Sequence, residues 1–490
     1  MVAVEHHVTD QKARGAYYTP PETAAALVRW AVRDPDEHML DPSCGDGRFL
    51  ALHPRSTGVD CDATAVSSAT EAAPSGTVEC ADFFDWAAST TQRFDCAAGN
   101  PPFIRYQRFT GETRRQALKL CATLGAKLSG LSSSWAPYLI VTASLLRPGG
   151  RMAFVVPAEI GHAPYAAPVL DWFASHFDDV QLVAVRQKLF ADLSEDVWLL
   201  YADGFGGRTG HFDLALHERF VFRAEPPLAD TRVSVREWRR WGSRLRPMLL
   251  PTRIRDIYAR LRDSDQTTSL GRVADVGIGY VSGANDFFHL RPSEADELGI
   301  PGELFRPTVR SGRELQAGAI TDETVAGWRT DDRPNFLLAL GPETPLPDTV
   351  SRYLDSPRGL EVRKRYKCRI RTPWYTVPHV SVPDLFLSYM SGEGPALVEN
   401  QARCTCTNAV HGVRLNDTGV TASRLRRRWG TTLTRLSCEI EGHPLGGGVL
   451  KLEPGEALNV LVSLDVDLGS DDERDLQEGV ELLRRWRHRG

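Results

Sequence analysis

The sequence predicts an α/β fold: a doubly wound, Rossmann-like and mostly parallel sheet with a terminal antiparallel strand, followed by a mixed α+β region. Three observations carry this expectation. Short apolar runs recur at 39–40, 57–59, 77–78, 96–98, 152–156, 182–185 and 197–201, each of strand length. Helical patterns lie between several of them, notably at 137–146 and 167–177, and strand–helix alternation covers both faces of a parallel sheet. The last two runs are joined by a loop containing Phe190 and no long helix, which lets the final strand enter antiparallel.

At 490 residues the chain is longer than one core usually supports, roughly 250 residues, so more than one domain is expected. Gly204, Gly206, Gly207 and Gly210 read as a linker that closes a first domain at 1–205. Residues 206–420 form a second region, arginine-rich and helical at about 234–261 and then rich in turns, prolines and aromatics. Residues 421–490 read as its helical end.

Composition removes several function classes. Hydrophobic residues make up 42% of the chain and charged residues 25%, and no apolar run reaches the about 20 residues of a membrane helix. Residues 1–12 lack the basic and apolar pattern of a secretory leader, so a cytoplasmic protein is expected. The nine cysteines are scattered, and Cys404 and Cys406 stand too close for the usual zinc spacing, so no metal is expected. With a net charge of -5 the basic character is local: Arg363, Lys364, Arg365, Lys367, Arg369 and Arg371 in one stretch, and Arg236, Arg239, Arg240, Arg244 and Arg246 in another. Either can follow a phosphate backbone.

Asp41-Pro42-Ser43-Cys44-Gly45-Asp46-Gly47 follows the first strand and leads into a predicted helix near Arg48. Gly45 and Gly47 let the backbone turn sharply and approach a ligand. Asp60 ends the next strand, at a spacing suited to ribose hydroxyls, and Asp82 and Phe83 close the third with a carboxylate for an adenine amine and a ring for its face. The turn lacks a third glycine and a following lysine, so the cofactor need not carry phosphates. S-adenosylmethionine, with adenine and ribose but no pyrophosphate, suits the site better than NAD or ATP.

Asn100-Pro101-Pro102-Phe103 follows the fourth strand. Consecutive prolines fix their backbone angles and donate no hydrogen bond, which holds the Pro101 carbonyl outward as an acceptor. With the Asn100 amide oxygen it can take both hydrogens of an exocyclic amine and localise the nitrogen lone pair for in-line attack on a methyl group. Phe103 offers a face on which an extruded base can stack.

These motifs, in this order, resemble the gamma-class adenine-specific DNA methyltransferases of type II restriction–modification systems, which end in a target-recognition domain. The resemblance extends upstream to Gly15-Ala16-Tyr17-Tyr18-Thr19-Pro20-Pro21, and it implies that Tyr17, Thr19 and Pro21 lie at the methionine part of the cofactor. It assigns Asp41, Ser43, Gly45 and Gly47 to the glycine loop, Asp60 to the ribose, Asp82 and Phe83 to the adenine, and Asn100 to Phe103 to catalysis. It also implies that Phe190 is a second aromatic against the flipped base, and Arg105, just past the tetrapeptide, counts among the substrate contacts. Phenylalanine at Phe103, where tyrosine is commoner, still serves stacking.

Beyond residue 205 the resemblance is looser. Residues 279–288, 368–377 and 398–411 are similar to segments of that class's recognition domains, and Arg371, Trp374, Asn400, Arg403, Asn408 and His411 are the candidate base contacts. Enzymes that methylate protein glutamine share the tetrapeptide, and similar folds act on ribosomal RNA. Their chains usually stop soon after the sheet, whereas the long remainder from Ala202 onward suits a module that reads double-stranded DNA. A catalytically inactive DNA-binding relative is a third reading, against which the intact Asn100 and Gly45 speak. The cofactor motif begins by Gly15, so any cleaving nuclease is expected on another chain.

Overall fold

The computed structural model describes residues 19–187, 189–190, 196–219, 225–416, 419–445, 447–464 and 468–487, and divides the chain into two compact units, 1–249 and 250–488. In the first, α1 (Pro21–Ala31) precedes β1 (Met39–Asp41), β2 (Ser56–Asp60), α2 (Ala63–Ala72), β3 (Thr77–Cys80), α3 (Phe83–Ser89) and β4 (Phe94–Gly99). Then come α4 (Gly111–Thr123), α5 (Trp135–Ser144), β5 (Leu146–Pro157), α6 (Ala167–Ala174), β6 (Phe177–Val185), β7 (Val197–Phe205), β8 (His211–His217), β9 (Thr231–Ser234) and α7 (Val235–Arg240).

These strands form one sheet in the order β3-β2-β1-β4-β5-β7-β6-β8-β9. Strands β3 to β5 are parallel neighbours, and β7 enters antiparallel between β5 and β6, as the short connection through Phe190 predicted. All seven apolar runs are strands. The helix expected after the glycine turn is only a 3-10 turn at Leu50–Leu52. Asp62 caps α2 by accepting from the Thr64 amide at 3.0 Å, which starts that helix directly after β2.

The first boundary differs from the expectation. The sheet does not end at 205, because β8 pairs in parallel with β6 and β9 extends the edge. The glycines read as a linker instead make a tight turn: a Cβ at Gly204 or Gly207 would lie 2.3 or 2.0 Å from the Asp178 carboxylate. Part of the second basic stretch is spent on this unit too. Arg239 pairs with Asp171 at 2.6 Å, and Arg246 is buried.

The second unit contains a five-stranded sheet in the order Ala274–Ile278, Val410–Leu415, Leu385–Ser388, Leu397–Asn400, Ala319–Ile320. Alternate side chains of its strands serve two cores. Leu385, Leu387, Leu397 and Val413 join one cluster with Leu425, Trp429 and Leu450, while Phe386, Val398 and Val410 join another with Tyr280, Phe287, Trp328 and Phe336. Its helices include α8 (Thr252–Arg262), α9 (Pro357–Lys364), α10 (Tyr366–Arg369), α11 (Ala422–Trp429), α12 (Thr432–Glu441) and α13 (Ser470–Arg487). Residues 421–487 are therefore no separate appendage: α11 builds the first cluster, and α13 packs on α12 and α8.

Arg487 and Glu439 form a fully buried pair, Nη2 to Oε1 at 2.8 Å, and Arg487 also donates to the Gly392 carbonyl at 2.7 Å. Removing one partner of such a pair strands the other charge away from water. Glu439→Ala should lower the unfolding free energy of this unit by roughly 3–5 kcal/mol in urea titration; a loss below about 1 kcal/mol would show the pair to be dispensable.

Candidate active site

Strand β1 ends at Asp41, which is 1% exposed. The following turn has Gly45 at φ +52° and Gly47 at φ +80°. The two glycines have different reasons. A Cβ at Gly47 would stand 2.6 Å from the Cα of Ala69 in α2, whereas nothing lies within 4 Å of one at Gly45, whose backbone faces open space. The Gly45 amide donates to Asp60 Oδ2 at 3.0 Å and the Asp62 amide to Oδ1 at 2.9 Å, so turn and β2 carboxylate form one unit. Arg48 pairs with Asp46 at 2.8 Å and donates to the Thr19 carbonyl at 2.7 Å. That bond brings Thr19 and Pro21, at the start of α1, onto the glycine loop. Tyr17 lies outside the described residues.

The tetrapeptide sits at the neighbouring strand end. A Cβ on Gly99 would lie 2.7 Å from Asp41 Oδ1, so a larger residue there would push that carboxylate from its place. The Ser43 hydroxyl donates to the Asn100 carbonyl at 3.2 Å. On the far side Ser134, at the start of α5, receives the Ile104 amide on its hydroxyl at 2.9 Å, donates that hydroxyl to the Pro102 carbonyl, and donates its own amide to the Ile104 carbonyl at 2.9 Å. Both ends of the tetrapeptide are thereby held by serines. Asn100 and Pro102 are half-buried, Pro101 and Phe103 are buried, and Arg105 is exposed. Ser134 was not singled out from the sequence, although a serine directly before an apolar helical run is a usual start signal. Phe190 is buried in the loop after β6.

The adenine side departs from expectation. Asp82 caps α3, with Oδ1 accepting from the Phe84 amide at 2.9 Å, and its Oδ2 accepts from the Thr113 hydroxyl at 2.7 Å. Phe83 presents no free face. As the first residue of α3 it turns inward and stacks on Tyr138 of α5, centroids 5.1 Å apart and planes 15° apart. The sequence reading missed Tyr138, which stands half-buried near both strand-end acids; burial first, then the Asp82 and Asp60 carboxylates, holds its phenol neutral.

Burial raises the Asp41 pKa to about 8; the Ser43 amide opposes this, and Asp60 and Asp46 add to it. Its Oδ2 is buried with no hydrogen-bond partner among the described residues. A cationic ligand group would relieve both conditions. S-adenosylmethionine carries an ammonium and a sulfonium, so Asp41, open Gly45, Asp60 and Tyr138 together suit it.

In the second unit several candidate readers prove to be structural. Arg371 donates to the Ser282 and Val281 carbonyls, each at 2.7 Å, so its guanidinium is committed to its own fold. Asn400 bridges a turn, donating to the Pro383 and Cys404 carbonyls at 2.7 and 2.8 Å and accepting from the Cys404 amide at 2.8 Å. His411 is fully buried, with Nε2 on the Leu452 carbonyl at 2.9 Å. Trp374 is half-buried against Phe287. Arg403 and Asn408 are exposed, as are Arg363, Lys364, Arg365, Lys367 and Arg369.

Two predictions follow from this geometry. Binding a cation favours ionised Asp41, so affinity for S-adenosylmethionine should rise as pH is raised from about 6 towards 8, with proton uptake by buffer in calorimetry. Asp41→Asn should bind more weakly and lose that pH dependence; an unchanged profile would take Asp41 out of the site. Ser134→Ala should lower the methyl-transfer rate constant roughly tenfold through lost positioning of the tetrapeptide. Cofactor KM should stay near wild type and Ser134→Thr should restore the rate.

The model of the family described as "Type II methyltransferase M.Eco57I, C-terminal domain" matches residues 243–488. Type II methyltransferase M.AccI from Acinetobacter calcoaceticus is 20% identical, with 99% of this chain and 91% of that protein covered. Type II methyltransferase M.TthHB8I from Thermus thermophilus is 27% identical over 29% of this chain and 35% of its own length. Among solved structures, the type IIL restriction–modification enzyme MmeI in complex with DNA superposes with a TM-score of 0.51 at 12% identity, covering 95% of this chain and 70% of its own. The DrdV–DNA complex gives 0.52 at 10% identity, covering 96% of this chain and 57% of its own. The likeness to these two solved structures is one of fold. The chain belongs to the type II methyltransferase family of M.Eco57I, and its reaction is the methylation of DNA from S-adenosylmethionine.

Proposed function

We propose that the chain methylates the exocyclic N6 amine of an adenine rotated out of double-stranded DNA, at sites read by its second unit. The observation that carries this reading is the tetrapeptide fixed between Ser43 and Ser134, beside the glycine turn of β1. S-adenosylmethionine supplies an electrophilic methyl group. Asn100 Oδ1 and the Pro101 carbonyl accept the two amine hydrogens, which pyramidalises the nitrogen and exposes its lone pair. The amine proton becomes acidic only once the new N–C bond forms, so no strong base is required before attack. Phe103 and Phe190 border the base, and Phe103 lends it a stacking edge.

In the second unit the exposed arginines and lysines of residues 363–369 follow phosphates, while exposed Arg403 and Asn408 remain as base readers. The physiological role is that of a cytoplasmic modification enzyme acting alongside a restriction endonuclease or another defence subunit.

Expression in a host without adenine methylation, followed by modification-sensitive genome sequencing, tests the reading directly. N6-methyladenine should appear within one defined motif. Methylation confined to cytosine, or an unmodified genome with modified RNA or protein glutamine, would overturn the proposal. Asn100→Ala should bind cofactor and duplex normally yet lower the transfer rate by a factor on the order of a hundred to a thousand, as loss of a transition-state acceptor does.

A further inference from the structure

Residues 360–370 combine exposed apolar side chains with their charge. Leu360, Tyr366 and Ile370 are 49%, 63% and 59% exposed, and they alternate with exposed Arg363, Lys364, Arg365, Lys367 and Arg369. Glu361, the acid of this stretch, is already paired with Lys364 at 2.6 Å. Scattered apolar side chains on a surface need no explanation, but three within eleven residues, interleaved with cations, do.

The geometry of α10 gives the cluster a direction. Tyr366 opens the helix and Ile370 is its C-cap, four residues on, so the two share one side of the turn. Cys368, between them, is fully buried on the other side. Three features brace that side against the rest of the unit. Arg371 grips the Val281 and Ser282 carbonyls. Cys368 Sγ lies 3.9 Å from the Ser282 carbonyl. Gly283, at φ +85°, has no side chain where a Cβ would meet Lys367 Cβ at 2.8 Å. The turn is thus anchored from behind and offers a phenol and a branched alkyl group outward. Beside it opens a cavity of about 1020 Å³ lined by Leu360, Arg363, Arg369 and Trp374.

We propose that Tyr366 and Ile370 form an apolar wedge that enters a base step of duplex DNA while the surrounding cations hold the flanking phosphates. The proposal rests on the DNA reading given above and adds deformation of the duplex to it. Charge complementarity selects the occupant: the four cations outside the Glu361–Lys364 pair ask for a polyanion, and the apolar surface a duplex offers between its phosphates is the face of a base pair, reached by unstacking a step.

The test uses the full chain and a duplex carrying the motif that genome sequencing finds methylated, with 2-aminopurine placed in turn at each purine of the motif and its flanks. Wild type should raise fluorescence at a step apart from the methylated base. Tyr366→Ala combined with Ile370→Ala, both exposed and so expected to leave the melting temperature unchanged, should abolish that signal and weaken binding roughly tenfold. The slope of log affinity against log salt should stay the same in that variant and flatten in Arg363→Gln combined with Arg365→Gln. Fluorescence confined to the methylated base, or an extra signal and an affinity unchanged in the apolar double variant, would overturn the wedge and leave the patch to a protein partner. Failure of the DNA reading has a different signature, no methylated motif and no duplex binding by wild type, and would remove both.

Discussion

Asp41 and Gly99 stand at the ends of adjacent strands, and the missing side chain of Gly99 is what permits their approach. The rest of the candidate active site depends on this contact. With β4 drawn against β1, Ser43 reaches the Asn100 carbonyl, and the tetrapeptide comes to rest beside the turn that opens at Gly45. A parallel sheet places successive strand ends along one edge, so the strand-end carboxylates and the tetrapeptide all sit on or next to rigid backbone. The same crowding buries Asp41, and burial raises its pKa, so that carboxyl holds its proton more readily than a solvated acid.

The second unit follows a different logic. Its sheet divides two apolar clusters by the alternation of side chains along each strand, and polar groups weld the loops around them. Tyr280 shows the pattern: its hydroxyl meets His289 Nε2 at 2.7 Å and Thr308 at 3.2 Å deep in the unit. Arg371 and Asn400 belong to this internal scaffolding. Other side chains of the same segments, Arg369 and Arg403 among them, are exposed. Rigid support beneath an exposed turn is what recognition needs, because ordering a floppy loop on binding would cost entropy.

Much of the first unit was legible in the sequence because its signals are local. Seven apolar runs gave seven strands, the Phe190 connection announced the antiparallel entry of β7, and the glycine turn and tetrapeptide stood at strand ends as their spacing required. What escaped was decided by partners distant in the chain. The glycines at 204–210 look like a linker until Asp178 is seen against them, and nothing local says that β8 will lie beside β6.

Side-chain commitments belong to the same class. A sequence names Phe83, Arg371 and Asn400 as able to stack or to read bases, and chemistry alone makes each a fair candidate. Only the fold shows that Tyr138 covers Phe83, that two carbonyls near Gly283 claim Arg371, and that a turn at Cys404 saturates Asn400. Residue order by itself determined the sheet, the glycine turn and the order of the motifs, since periodicity and turn chemistry act over a few residues. Tertiary structure decided which polar and aromatic groups remain available to a ligand, since that depends on neighbours brought together by burial and satisfied hydrogen bonds.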